Sequence, residues 1–226
     1  MDGSDCIETV SLIIELSRQG VVPKYFSLHE EIDESFNYLT KQVDPTEERY
    51  MHKESARISR DKVLSIDQCR ADQFDMLLIP GGGGIVRNLS NFEQEEYNIK
   101  EAKVNSDVEK VIRDFHGKKK PIGLMSNSII LAAQALGSKS GKTSAGVGLA
   151  LGKALDRTFV ETVQTKLGNE LSDETSDADQ ILLDSTHRVA SVSGVAASSN
   201  VLPNEIYNAA KNLVSEVIQL SNKKDE

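Results

Sequence analysis

No long apolar run is present in this sequence. The longest, "MLLIP" and "IGLM", are strand-sized and fall far short of the ~20 residues needed to cross a bilayer as a helix. The start, "MDGSDCIETV", has neither the basic opening of a secretory signal nor the Arg-rich, acid-poor character of a transit peptide. The chain as given is therefore expected to be soluble, untargeted and without a membrane partner. Basic charge is also scarce, with 26 Lys and Arg against 35 Asp and Glu and a net charge of −9. That balance argues against nucleic acid, whose partners present basic patches. The short run Lys118, Lys119, Lys120 is expected to cap a helix end and keep a turn wet. Cysteine is limited to Cys6 and Cys69, too few for a disulfide framework, which fits a reducing intracellular compartment. The four histidines lack metal-ligand spacing, and "HEEIDE" lacks the second histidine of a zinc helix. No metal or cofactor is expected, and the histidines are expected at the surface.

Elements alternate along the chain. "CIETVSLIIELSRQG" reads as a helix with Ile7, Val10 and Ile14, joined by Ile13 and Leu16, as its apolar face. Asp2, Ser4 or Asp5 can cap it, and Gly20 ends it. "VVPKYFSL" reads as a strand, with Pro23 marking an edge or a bend. Residues 29–72 are polar and read as a surface excursion. "FDMLLIPGGGG" is the clearest strand, and its unbroken apolar run predicts burial on both faces. "SDVEKVIRDFH" predicts a helix opened by a Ser106–Glu109 capping box, with Val108, Val111, Ile112 and Phe115 inward. "KKPIGLM" is the next strand and "SIILAAQAL" the next helix. "ADQILLD" and "RVASVSG" are two strands joined by "STH". A final helix begins near Pro203, with Ile206, Leu213, Val217 and Leu220 inward.

This alternation predicts a single doubly wound α/β domain over 1–226, with 137–178 hard to read. Within that stretch "GKTSAG" fails as a phosphate loop, because the required glycine is Leu136. In such sheets chemistry collects beyond the carboxyl ends of strands. Two ends stand out. Gly81–Gly84 exceed what a turn needs and can aim amides at an anion. Ser126, in "GLMSNS", sits between a strand and a helix, where it is as well suited to capping as to attack. The G-x-S-x-G elbow is not met, and a serine hydroxyl needs a base.

"GSDCIETV", "ESARISR", "MLLIPGGGGIVRNLSNF" and "FHGKKKPIGLMS" together resemble the ElbB-like glyoxalase and glutamine amidotransferase-like class 1 family of the ThiJ/PfpI superfamily. The likeness runs from Asp2 to about Ser126, fades to Asp177, and returns in "DQILLD…HRVASVSG" and the last helix. It implies a flavodoxin-like sandwich with a cysteine nucleophile on a sharp elbow, a glutamate from the first helix and an oxyanion pocket. Carried over, the glutamate is Glu8, the pocket amides are Gly82 and Asn127, and the nucleophile position is Ser126. A thiol is activated by lowering its pKa, whereas a hydroxyl is not ionised that way near neutral pH. The family's small-residue and proline run after the cysteine is here "NSII". Its first strand, which precedes "DGS", is missing from the chain as given, which would expose unpaired strand edges; the expectation is either a truncated gene product or another segment or subunit filling the gap.

The resulting expectation is a divergent family member, a pseudoenzyme, that keeps its pocket for a small carbonyl or carboxylate metabolite or a protein partner, with a homodimer left open. The alternative is an active glyoxalase-like lyase or hydrolase acting on small α-oxoaldehydes through Ser126. A third option is Cys6 as the reactive thiol, against which stands its packing as a small apolar residue. The resemblance implies a mitochondrial location; the chain as given implies a cytoplasmic one.

Overall fold

The computed structural model describes residues 3–92, 102–137, 147–150, 170–171, 177–197 and 200–223. The phosphate-loop-like "GKTSAG" lies outside them. The doubly wound α/β layout forms. Helix α1 (Cys6–Arg18) leads to β1 (Tyr25–Ser27). The polar excursion holds a small hairpin, β2 (Phe36–Asn37) and β3 (Gln42–Val43), then α2 (Met51–Ser59) and β4 (Val63–Ser65). After β5 (Leu77–Ile79) come α3 (Gly83–Leu89), α4 (Ser106–Gly117), β6 (Ile122–Met125) and α5 (Ile129–Leu136). The short strands β7 (Gly148–Leu149) and β8 (Glu170–Leu171) pair in parallel. The antiparallel β9 (Ile181–Asp184) and β10 (Val189–Val192) and the long α6 (Pro203–Asn222) complete the described chain.

The central sheet has the order β5-β6-β10-β9, with β5, β6 and β10 parallel. Alternation along these strands separates two cores. Leu77, Ile79, Ile122, Leu124 and Val189 pack toward α4 and α5. Leu78, Met125, Ala190 and Val192 pack toward α1 and α6. Gly123 faces α6 because a Cβ there would stand 2.4 Å from Leu78 and 2.7 Å from Val217. The α4 and α6 stripes read from sequence are the buried ones.

Four expectations fail for identifiable reasons. β4 was hidden in the polar excursion, and it pairs with β1 as a separate two-stranded sheet. β5 is only half-buried, unlike β6 and β10, because β6 covers one of its edges and its other edge borders a cavity. Helix α4 is capped by Asn105, whose Oδ1 accepts from the Asp107 and Val108 amides at 3.0 and 3.4 Å, while Glu109 pairs instead with Arg113 at 2.8 Å. In α1, Ile7, Val10 and Ile14 are more than 40% exposed. The buried face is Glu8, Ser11, Leu12, Glu15 and Leu16. Those positions have the i, i+3, i+4, i+7, i+8 spacing of an inward stripe. Two of them are carboxylates, so counting apolar residues alone selects the wrong face.

Candidate functional site

Helix α1 carries Glu8 to the carboxyl ends of β5, β6 and β10. Asp5 caps the helix, accepting from the Glu8 amide at 2.9 Å, and the Asp5 amide in turn donates to the Gly81 carbonyl at 2.8 Å. This ties the start of α1 to the loop after β5. Glu8 is fully buried. Its Oε2 accepts from the Gly81 amide at 2.7 Å and its Oε1 from the Val195 amide at 3.0 Å. Burial pushes its pKa up to about 7; the Asp5 charge adds to the rise, while the Val195 and Gly81 amides and the Ser126 hydroxyl oppose it. A carboxyl with that pKa is partly protonated at neutral pH and can donate a hydrogen bond as well as accept one.

Ser126 follows β6 directly and opens the short 3₁₀ turn Ser126–Ser128 before α5. Its φ is +52°, and of the five non-glycine residues described with positive φ it alone is buried. A residue with a Cβ is uncommon in that region, and buried examples collect at functional turns. The turn is fastened by its neighbour: Ser128 Oγ donates to the Met125 and Ile79 carbonyls at 2.8 and 3.0 Å. A Cβ on Gly81 would stand 2.5 Å from both Glu8 Oε2 and Ser126 Cβ. The carboxyl and the serine thus face each other across the side chain that Gly81 lacks. The Ser126 hydroxyl is near enough to favour the Glu8 carboxylate slightly, yet its Oγ meets no partner with hydrogen-bond geometry. The helix-cap role weighed for Ser126 is therefore not the one the turn assigns to it.

Glu8, Gly81 and Ser126 come together. Gly82, proposed as an amide donor, is the buried residue that caps α3 at φ +120°, with Asp5 N 2.4 Å and Gly3 O 3.0 Å from where its Cβ would stand. Asn127 lies within the 3₁₀ turn and is partly exposed. The amide that reaches Glu8 from the glycine loop is that of Gly81. Gly83 and Gly84 belong to α3 rather than to an open loop. Gly194 and Val195 escaped the sequence reading. Gly194 has φ +50°, and a Cβ there would lie 2.5 Å from Glu8 Oε1. A glycine just after strand "RVASVS" was the available signal. Cys6 is exposed rather than packed, because its side of α1 is the outward one, while the buried Cys69 thiol is pushed up to about 11 by burial. The histidines are engaged rather than simply solvated: the His29 and His52 rings meet tilted by 30° with centroids 4.4 Å apart, His116 stacks on His187 at 5.8 Å, and His187 Nδ1 meets Asp184 at 2.7 Å.

A mostly parallel sheet between two helical layers, with a buried acid facing a strained strand-to-helix elbow, defines the class of protein. No model of a known protein family matches the chain. The mitochondrial ES1 protein of Danio rerio is 35% identical over 141 residues, covering 61% of this chain and 51% of that protein. The human mitochondrial glutamine amidotransferase-like class 1 domain-containing protein 3 is 34% identical over 135 residues, covering 60% and 49%. The chain thus spans about half the length of the curated relatives it matches. An isoprenoid biosynthesis protein with an amidotransferase-like domain from Ehrlichia chaffeensis superposes with a TM-score of 0.81 at 26% identity, covering 97% of this chain and 93% of that one. A ThiJ/PfpI domain protein from Brachyspira murdochii shares the fold, with a TM-score of 0.56 at 11% identity, covering 98% and 91%. The chain has the fold of the ThiJ/PfpI domain protein and is similar in sequence to glutamine amidotransferase-like proteins. Its curated relatives are ES1 and glutamine amidotransferase-like class 1 proteins.

Proposed function

We propose that this is a ThiJ/PfpI-type protein whose strand-end site has left cysteine chemistry and binds a small carbonyl or carboxylate compound. One observation carries the reading: the Ser126 hydroxyl is buried and has no base in hydrogen-bond geometry. A serine nucleophile needs such a base. The only carboxyl facing it among the described residues is Glu8, whose two oxygens already accept from the Gly81 and Val195 amides. A partly protonated Glu8 can donate to a ligand oxygen, and it is the missing hydrogen-bond geometry at Ser126, not the raised pKa, that speaks against deprotonation of the serine. The mitochondrial names of the relatives support placing the protein in that organelle. The strained elbow favours a second reading, a lyase or hydrolase acting on small α-oxoaldehydes through Ser126.

Methylglyoxal turnover separates the two. The native protein is expected to show none above background. Ser126→Cys is expected to give a thiol titrating below the ~8.5 of free cysteine, because the protonated fraction of Glu8 and the start of the following helix favour a thiolate. Native turnover that Ser126→Ala abolishes overturns the binding reading and establishes the enzyme.

A further inference from the structure

The polar excursion after β1 leaves and rejoins the fold through a neck. Its two sides pair antiparallel in a single register. The Met51 amide donates to the Glu30 carbonyl at 3.0 Å, Glu31 bridges Tyr50, and the Ile32 amide donates to the Arg49 carbonyl at 2.9 Å. His29 and His52 are the next pair in that register, and their rings meet with centroids 4.4 Å apart. Beyond the neck lie β2 and β3, and the Glu34 carboxylate pairs with Arg87 on α3. Helix α3 starts just after Gly81, whose amide reaches Glu8. Residues 30–51 are therefore a strap, pinched at its neck and tied by Glu34 to a helix that begins beside the candidate site.

The neck is where charge can act on this strap. Its main-chain pairing covers only a few residues, and an imidazole changes charge between pH 5 and 8. Neutral His29 and His52 pack ring against ring. Charged, they place two like charges at close range, and these repel. The surroundings of His52 add to the repulsion. It lies in the first turn of α2, where the helix end disfavours a cation. Lys53 beside it is a second positive charge and sits 4.0 Å from the centroid of the Tyr50 ring, which in turn meets His52 edge to face at 6.0 Å. The His52 Nδ1 is buried and meets no hydrogen-bond partner. Glu30 and Glu31, next in the chain to His29, are exposed. β1, β4 and α1 also pack on α2, and among the described residues the charged groups acting on the ring are His29 and Lys53. Burial, His29 and Lys53 all hold the His52 pKa below its ordinary 6.5. A base whose folded pKa is lowered favours the closed neck above that value and weakens it as the pH falls below.

We propose that residues 30–51 form an acid-released strap, with the His29–His52 ring pair as the sensor at its neck. Protonation of both rings parts the two sides of the neck and leaves Glu34 to hold the strap to α3. The proposal does not depend on the chemistry of Ser126.

Amide exchange, corrected for the intrinsic rate at each pH, tests this at Ile32 and Met51. In the native protein, protection at both is expected to fall at least about fivefold between pH 7.5 and pH 5.0, the low end of what two unit charges ~4 Å apart exert. His52→Phe keeps a ring against His29, takes no charge and gives up no bond of Nδ1. In that variant protection is expected to be the same at both pH values. The ring C–H signals of the native protein give a second reading that needs no variant. His29 and His52 should each titrate in two steps, the second at the midpoint of the partner. A fall in protection shared by the native protein and the variant assigns the acid response to other groups and overturns the proposal. So does protection that stays constant in the native protein, or a pair of independent single-step curves for the two rings.

Discussion

Glu8→Gln is expected to remove a pH step of about 3 kcal/mol from the stability of this protein. In the native fold the carboxyl titrates at about 7 rather than at its ordinary 4.5. Below pH 4.5 both folded and unfolded chains hold the proton. As pH rises from there, the unfolded chain releases it while the folded chain retains it, so the folded state loses stability until about pH 7. At about 1.4 kcal/mol per pH unit the full step is about 3 kcal/mol. Glutamine does not titrate. Its single carbonyl oxygen also accepts from only one of the two amides, Gly81 or Val195, that now meet separate carboxyl oxygens. The variant should therefore be less stable than the native protein at pH 5 and approach it at pH 8. Urea midpoints at the two pH values decide the matter. A native protein whose midpoint is as high at pH 8 as at pH 5, with the variant parallel to it, would show that Glu8 keeps an ordinary pKa.

Gly81→Ala attacks the same place by volume. The added Cβ would stand 2.5 Å from Glu8 Oε2, 2.5 Å from Ser126 Cβ and 2.7 Å from the Met125 carbonyl oxygen. None of these is the free end of a flexible chain. The carboxyl is held by two amides, and Ser126 sits on a turn fastened by Ser128. Overpacking of this kind costs about 1–3 kcal/mol, and the rigid surroundings place the cost at the top of that range. Gly117→Ala is the control, because nothing lies within 4 Å of its added Cβ at the end of α4. It should be neutral or slightly stabilising. Equal midpoints for the two alanine variants would falsify the tight apposition of Glu8 and Ser126 across Gly81.

The sequence displays the fold wherever apolar spacing and burial agree. "IGLM" and "VASV" are buried on every residue as β6 and β10, and α6 turns inward the side chains its spacing picks out. It misleads where a polar group is buried for a reason that spacing cannot show. In α1 the inward stripe contains Glu8 and Glu15, so the exposed Ile7, Val10 and Ile14 look like the core. The same applies to the candidate site. Ser126 and the Gly81–Gly84 run stand out in the sequence as strand ends, whereas Glu8, Asn127 and the amide role of Gly82 come only from likeness to a family. The contact between Glu8 and Val195, 187 residues apart in the chain, has no local signature. Asn105 took the helix cap from Ser106 because its side chain reaches two amides, a competition between adjacent residues that the motif does not resolve.

The elbow at residue 126 is maintained by atoms that do not belong to its side chain. Ser128 anchors the turn, Gly81 leaves room for it, and the Ser126 hydroxyl contributes no hydrogen bond of its own. The architecture is therefore indifferent to which small side chain stands there. Some serine and cysteine codons differ by one base, so a lineage carrying this scaffold can exchange a hydroxyl for a thiol in one mutational step without rebuilding the backbone. The hydrogen bonds that hold the turn stay the same whichever of the two stands there.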